Sequence, residues 1–193
     1  MGHSPEKESL GWQHDGALVP PLELTTHSQG WSATDQIVTD DNEHMMFHWN
    51  HHSRFFAWHA ELKAGGPDGP LVARVEKPAM SSSFTVFSPD GAEVFCEKRS
   101  VMAVTHHFTS PVSNTPYKWK NVGFPGSGHE LALVDLTVPG EQKIVATWRS
   151  KLGWSSKSGK LRLSRGYLHE LELVLSTALA MAAIDRTNRH AAY

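Results

Sequence analysis

The segment that most restricts the fold lies near the C-terminus, "YLHELELVLSTALAMAAIDRTNRH", starting at Tyr167. It reads as one long helix over roughly 167–185, rich in Leu, Ala, Met and Glu, with no Gly or Pro inside. Glu170 and Glu172 near its start and Arg186 and Arg189 near its end suit the helix dipole. From Leu173 to Ile184 only Ser176 and Thr177 are polar, so the polar face of a surface helix is missing. A helix apolar on all sides must be surrounded. Its apolar run of 12 residues falls short of the ~20 needed to cross a bilayer. No transmembrane segment is therefore expected, and the helix is expected to lie inside protein.

What surrounds it must be β. From Trp31 onward the chain breaks into short runs rich in Val, Ile, Phe, Trp and Thr, bounded by turn residues: "DQIVTD", "MMFHW", "FFAWHAEL", "LVARVEK", "SFTVF", "AEVFCEK", "SVMAVTHHF", "YKWKNV", "LALVDLTV", "QKIVATWR" and "KLRLSR". Ser88-Pro89-Asp90-Gly91 has the Pro and Gly placement of a type I turn. Val38, Val86 and Val134 precede three similar turns at a spacing of 48 residues, a weak sign of repetition because the flanks barely match. One helix and many strands leave two arrangements, a barrel closed around the helix or a curved sheet packed on it. Closure also removes exposed strand edges. Residues 1–30, with Pro5, Pro20 and Pro21 and little periodicity, read as a tail or arm; residues 187–193 read as a C-terminal tail.

This order of strand–turn–strand units, "FTVFSPDGAEVFCEKRS" and "HELALVDLTVPGEQKIVATWRS", then the polar "KLGWSSKSGKLRLSRG" and the final helix, resembles the tubby C-terminal-like superfamily. The likeness covers 31–186 and is nearest in pattern to the LURP-one-related and uncharacterised fungal members. It implies an antiparallel β-barrel of about twelve strands around a hydrophobic central helix. It also implies binding rather than catalysis, with phosphoinositide headgroups as the family's ligand. The acidic calcium-binding segment and membrane span of the related scramblases have no counterpart in the chain.

At 193 residues the chain can bury a core without staples. The single Cys96 rules out an internal disulfide and suits a cytoplasmic address. The N-terminal stretch has no apolar core, so no secretory signal is expected, and Glu6 in place of Ser or Thr weakens a myristoylation reading. Residues 1–96 hold 5 Lys/Arg and 13 Asp/Glu, and residues 97–193 hold 13 and 7. These −8 and +6 charges sum to −2 and predict a polarised surface if the fold keeps them apart. Nucleic acid is not an expected partner, as no binding motif is present.

Lys118 and Lys120 alternate with Tyr117 and Trp119, and Arg149 and Lys151 flank Trp148. On strands these cations share a face opposite the rings. With Lys98, and with Lys157, Lys160, Arg162 and Arg165 close in sequence, they form a candidate surface for anionic lipid headgroups, peripheral at a membrane, or for a protein partner there. The competing explanation is a solvated exterior, which needs charge in any case.

"NEHMMFHWNHHSRFFAWHAEL" carries His44, His48, His51, His52 and His59. Neighbours on a strand diverge, as do His106 and His107, and no HExxH or similar spacing occurs, so no metal is expected. The stretch reads as two strands joined at "NHHS", with Phe47, Trp49, Phe56 and Trp58 packed and the histidines mostly exposed. Cys96 on a strand reads as inert packing. "PGSGHE" lacks the Lys of a P-loop, and no positive sign marks His106, His107 or His129 as catalytic. No catalytic residue and no cofactor are expected. The alternative is a β-barrel enzyme or small-molecule binder with a rim cavity lined by His48, Trp49, Trp58 and His59. Whether the helix fills the interior separates the two.

Overall fold

In this computed structural model the described residues are 20–29, 34–54, 57–99, 105–123, 129–150 and 158–190. The strands are β1 (Leu22–Ser28), β2 (Asp35–Thr39), β3 (Met45–Arg54), β4 (Ala57–Ala64), β5 (Leu71–Lys77), β6 (Phe84–Phe87), β7 (Glu93–Lys98), β8 (Thr105–Thr109), β9 (Pro116–Asn121), β10 (His129–Asp135), β11 (Lys143–Ser150) and β12 (Ser158–Leu163). Each pairs antiparallel with the next, and β12 returns to β1, so twelve strands close a barrel. A 3-10 turn (Arg165–Glu170) leads into helix α1 (Leu171–His190).

The tight turns are dictated by their residues. At Ser88-Pro89-Asp90-Gly91 the Gly91 N–H donates to Ser88 O at 3.0 Å, and Gly91 takes a φ of +89°, a region that costs glycine nothing. Of the three spaced valines, Val38 and Val86 point inward beside Phe47 and Val94, whereas Val134 is registered with the outward Lys118.

Alternation then fills the interior. Tyr117 and Trp119 are buried to 1% and 0% exposure while Lys118 and Lys120 between them stay half-exposed. α1 supplies the centre, with Val174, Leu175, Ala178, Leu179, Ala180 and Met181 all buried. Its small residues make room for the large wall rings Trp49, Trp58, Trp119 and Trp148. Thr177, polar within the apolar run, accepts a hydrogen bond from Trp119 Nε1 at 2.9 Å and donates to Val174 O at 3.0 Å. By length and composition Arg165–Thr187 could cross a membrane, but 61% of its most apolar window is buried inside the barrel.

Three boundaries differ from the sequence reading. The barrel begins at Leu22, inside the expected arm, because β1 is the strand that closes the sheet, from Leu22↔Leu163 to His27↔Ser158. Residues 1–19 lie outside the described set. β3 runs through "NHHS" to Arg54 and β4 starts at Ala57, so the β3–β4 connection is 55–56 and not 50–53. α1 continues to His190, into the expected tail.

Candidate functional site at one end of the barrel

Antiparallel order sorts the connections. β1–β2, β3–β4, β5–β6, β7–β8, β9–β10 and β11–β12 turn at one end, and the other connections turn at the opposite end. α1 enters at the second end. There the buried Glu170 carboxylate accepts hydrogen bonds from Ser110 Oγ at 2.8 Å and Ser113 Oγ at 2.5 Å, in the β8–β9 turn. α1 leaves at the first end, where Arg186 acts electrostatically on His51. We term these the entry and exit ends.

The two ends differ in chemistry. The entry-end turns 40–44, 65–70, 88–92, 110–115 and 136–142 hold six Asp/Glu (Asp40, Asp41, Glu43, Asp68, Asp90, Glu141), no Lys or Arg, and no Phe, Trp or Tyr, while the sixth entry-end connection, 164–170, adds Glu170, Arg165 and Tyr167. The exit-end connections 29–34, 55–56, 78–83, 99–104, 122–128 and 151–157 hold no Asp or Glu. They carry Arg99, Lys151 and Lys157, and the aromatics Trp31, Phe55, Phe56, Phe124 and Trp154. Much of this second set is outside the described residues.

Met80 is the described apolar residue at the exit end, 96% exposed. It holds a φ of +59° in the turn that Ser81 N–H closes on Pro78 O at 3.3 Å. Glycine is the residue suited to such a position, and a methionine there carries a steric cost. Strain and full exposure of an apolar side chain coincide at this tip.

The expected cations divide between the two faces of the sheet. Lys118 and Lys120 point outward on β9, registered with His107 and Thr105 of β8. Lys120 Nζ donates to Gln142 Oε1, and Lys118 makes no ion pair among the described residues. Arg149 is exposed on β11 and bonds Glu130 at 2.7 Å. Lys160 and Arg162 both bond Glu23, clasping β12 to β1. The hydrogen bond from Lys160 holds the Glu23 carboxyl below its usual range, with burial opposing and Arg162 adding to the effect. Arg165 Nε donates to Pro20 O at 2.9 Å. Lys98 registers with His106, which registers with Trp119. It therefore belongs to the inward face, at the exit rim, and not with the outer cations. Lys151 and Lys157 lie outside the described residues, just past β11 and just before β12.

His48, Trp49, Trp58 and His59, expected at one rim cavity, are divided between the two faces of the wall. Trp49 and Trp58 face inward and are buried, while His48 and His59 belong to the outer face. His48 is nonetheless buried, with Nε2 3.2 Å from Asp35 Oδ1. His59 stacks on His52 at 5.0 Å between ring centroids. His51 faces inward against Trp58, also at 5.0 Å. His106 is buried and its Nε2–H donates to Ser82 O at 2.8 Å. His48 is buried although its parity is outward, whereas His51 and His106 are sheltered because they face inward. Among the described residues no three His, Cys, Asp or Glu side chains are grouped to hold a metal. Cys96 is fully buried, and burial pushes its thiol pKa up. The His129 side chain is outside the described set.

The exit rim is a place where ionisable groups meet low dielectric. Burial lowers the Lys77 pKa and is the first cause of lowering at His106. At His51 burial, then the charges of Arg186, His52 and His59, bring the pKa from 6.5 to about 4. In the unfolded chain the ring would protonate near 6.5, while in the native state it stays neutral. Stability is thus expected to fall as the pH drops from 6.5 to about 4. His51→Phe should flatten that part of the profile, measured by urea unfolding at several pH values; an unchanged slope would assign it to other groups.

No family model matches the chain, and no curated protein or solved structure is significantly similar to it.

Proposed function

We propose that the chain is a non-catalytic, tubby-like binding module that docks the exit end of its barrel on an anionic membrane surface. The observation that carries this is the axial separation of acidic turns from cationic and aromatic connections. Aromatics and an exposed Met80 are suited to the headgroup–acyl boundary, and cations to anionic headgroups. The filled interior adds support, since α1 occupies the space a substrate would need inside the barrel.

Magnitudes are compatible with such docking. A cation near an acidic leaflet contributes ~1 kcal/mol, and an exposed ion pair such as Arg149–Glu130 contributes ~0–1 kcal/mol. A phosphate can therefore compete with Glu130 for Arg149. Binding to vesicles of phosphatidylcholine with phosphatidylserine or phosphoinositide, at low salt, is the test. Wild type should cosediment. Lys118→Ala/Lys120→Ala and Arg149→Ala/Lys151→Ala should each weaken binding about tenfold, from roughly 1–2 kcal/mol of lost attraction. Met80→Ser should weaken it without changing the salt dependence. A wild type that ignores anionic vesicles at low salt would end the proposal.

A further inference from the structure

Among the described residues β7 and β8 pair only at Glu97↔His107 and Lys98↔His106. Every other seam has at least three such pairs, the next shortest being β5–β6. Toward the entry end Val94–Cys96 and Phe108–Thr109 run on without pairing to one another. A groove of about 290 Å3 lies over this seam.

The groove has an apolar end and a charged end. Phe95, Pro116 and Leu136 line the first, and the inward-facing Phe108 and Tyr117 form part of its floor. Phe95 is 59% exposed, the only Phe, Trp or Tyr among the described residues to face solvent so fully. Burial first, then the charge of Glu170, raises the Tyr117 pKa to about 12, so its hydroxyl is a neutral donor. Toward the exit end lie Glu97, Arg99 and His107. Arg99 Nε is 2.6 Å from Glu97, and Lys118 is registered beside His107. Two permanent cations thus face one carboxylate. Burial, then Arg99 and Lys118, lower the His107 pKa, with Glu97 opposing.

We propose that this seam groove binds a small amphipathic anion, a free carboxylate on an aliphatic or aryl body. Its apolar part lies on Phe95 and Phe108, and its carboxylate meets Arg99 and His107 with Lys118 alongside. Two features select this occupant. The volume is at the lower edge of the ~300–1,000 Å3 of ligand pockets, which suits a metabolite-sized body. The positive excess at one end only demands an anion with a single charged terminus. Arg99 presents five N–H donors, enough to keep Glu97 and accept a second carboxylate. The site shares Arg99 and Lys118 with the proposed docking surface, but its test uses no vesicle, so either proposal can fail without the other.

The test titrates the full chain with octanoate and with octanol, followed by calorimetry and by NMR of the His107 ring. Octanoate should saturate below roughly 10 mM, and octanol should bind at least tenfold more weakly. Bound octanoate should raise the His107 pKa, because a nearby anion favours the imidazolium. Arg99→Gln/Lys118→Gln should remove the preference for octanoate over octanol, and Phe95→Ser should weaken both ligands. Thermal unfolding of the variants checks that each remains folded. No saturation, an unmoved His107, or unaltered binding by Phe95→Ser would each overturn the proposal.

Discussion

Leu179→Ala is expected to lower the free energy of unfolding by about 2–5 kcal/mol, in the upper part of that range. Leu179 is 1% exposed near the middle of α1. The cost of such a truncation depends on how far the surroundings collapse into the space. Here they are held back. Twelve ladders close the wall on itself, so its radius cannot shrink locally without breaking cross-strand pairs. Trp119, which could lean inward, is tied to Thr177 through its Nε1–H. Leu168→Ala, at a position 40% exposed in the preceding 3-10 turn, should cost less than ~0.5 kcal/mol as an ordinary surface change. Urea unfolding with an unchanged m-value would give the comparison. A loss at Leu179 no larger than at Leu168 would mean that α1 is not the core of the barrel.

The same closure explains which parts of the fold could be read from sequence. A helix without a polar face requires a wrapping, and the alternation of Tyr117 and Trp119 with Lys118 and Lys120 shows which way each side chain points. Both are local patterns, and both are present in the structure. β1 is not local. "LELTTHS" is weakly alternating, follows Pro20-Pro21, and its partner Leu163 is 141 positions from Leu22, so nothing nearby marks it as a strand. Lys98 is a related case. Its parity is inward, but at a strand end the inward face opens to the rim and tolerates charge. The helix end at Arg186 and beyond is the same case, since a helix emerging from a barrel need not stop where its apolar run stops. The axial segregation of charge becomes visible only when the connections are taken alternately, which requires the strand order. The β7–β8 groove has no sequence signal beyond an outward Phe95, because a missing pair of ladder bonds is a property of two strands together.

Gly159→Ala should destabilise the protein by at least the ~1–3 kcal/mol typical of overpacking, and should act on the seam that completes the barrel. A Cβ at Gly159 would lie 2.2, 2.5 and 2.9 Å from three ring atoms of Trp148. Trp148 is 2% exposed and inward-facing, and its ring covers the glycine. The backbone of Gly159 cannot readily give way, since its N–H donates to Thr26 Oγ1 at 2.8 Å and its carbonyl accepts from the same hydroxyl at 3.2 Å. That exchange joins β12 to β1, next to the Glu23 clasp on Lys160 and Arg162. Amide exchange should therefore quicken most at Thr25–His27 and Ser158–Leu161, while β4 and β5 across the barrel keep their protection. Adding Trp148→Leu should recover part of the loss, because the smaller side chain frees the space that the new methyl needs. Gly159→Ala alone and the double variant form a cycle whose coupling should be ~0.5–3 kcal/mol in favour of the pair. A coupling near zero would assign the effect to backbone conformation at Gly159 and not to the ring above it.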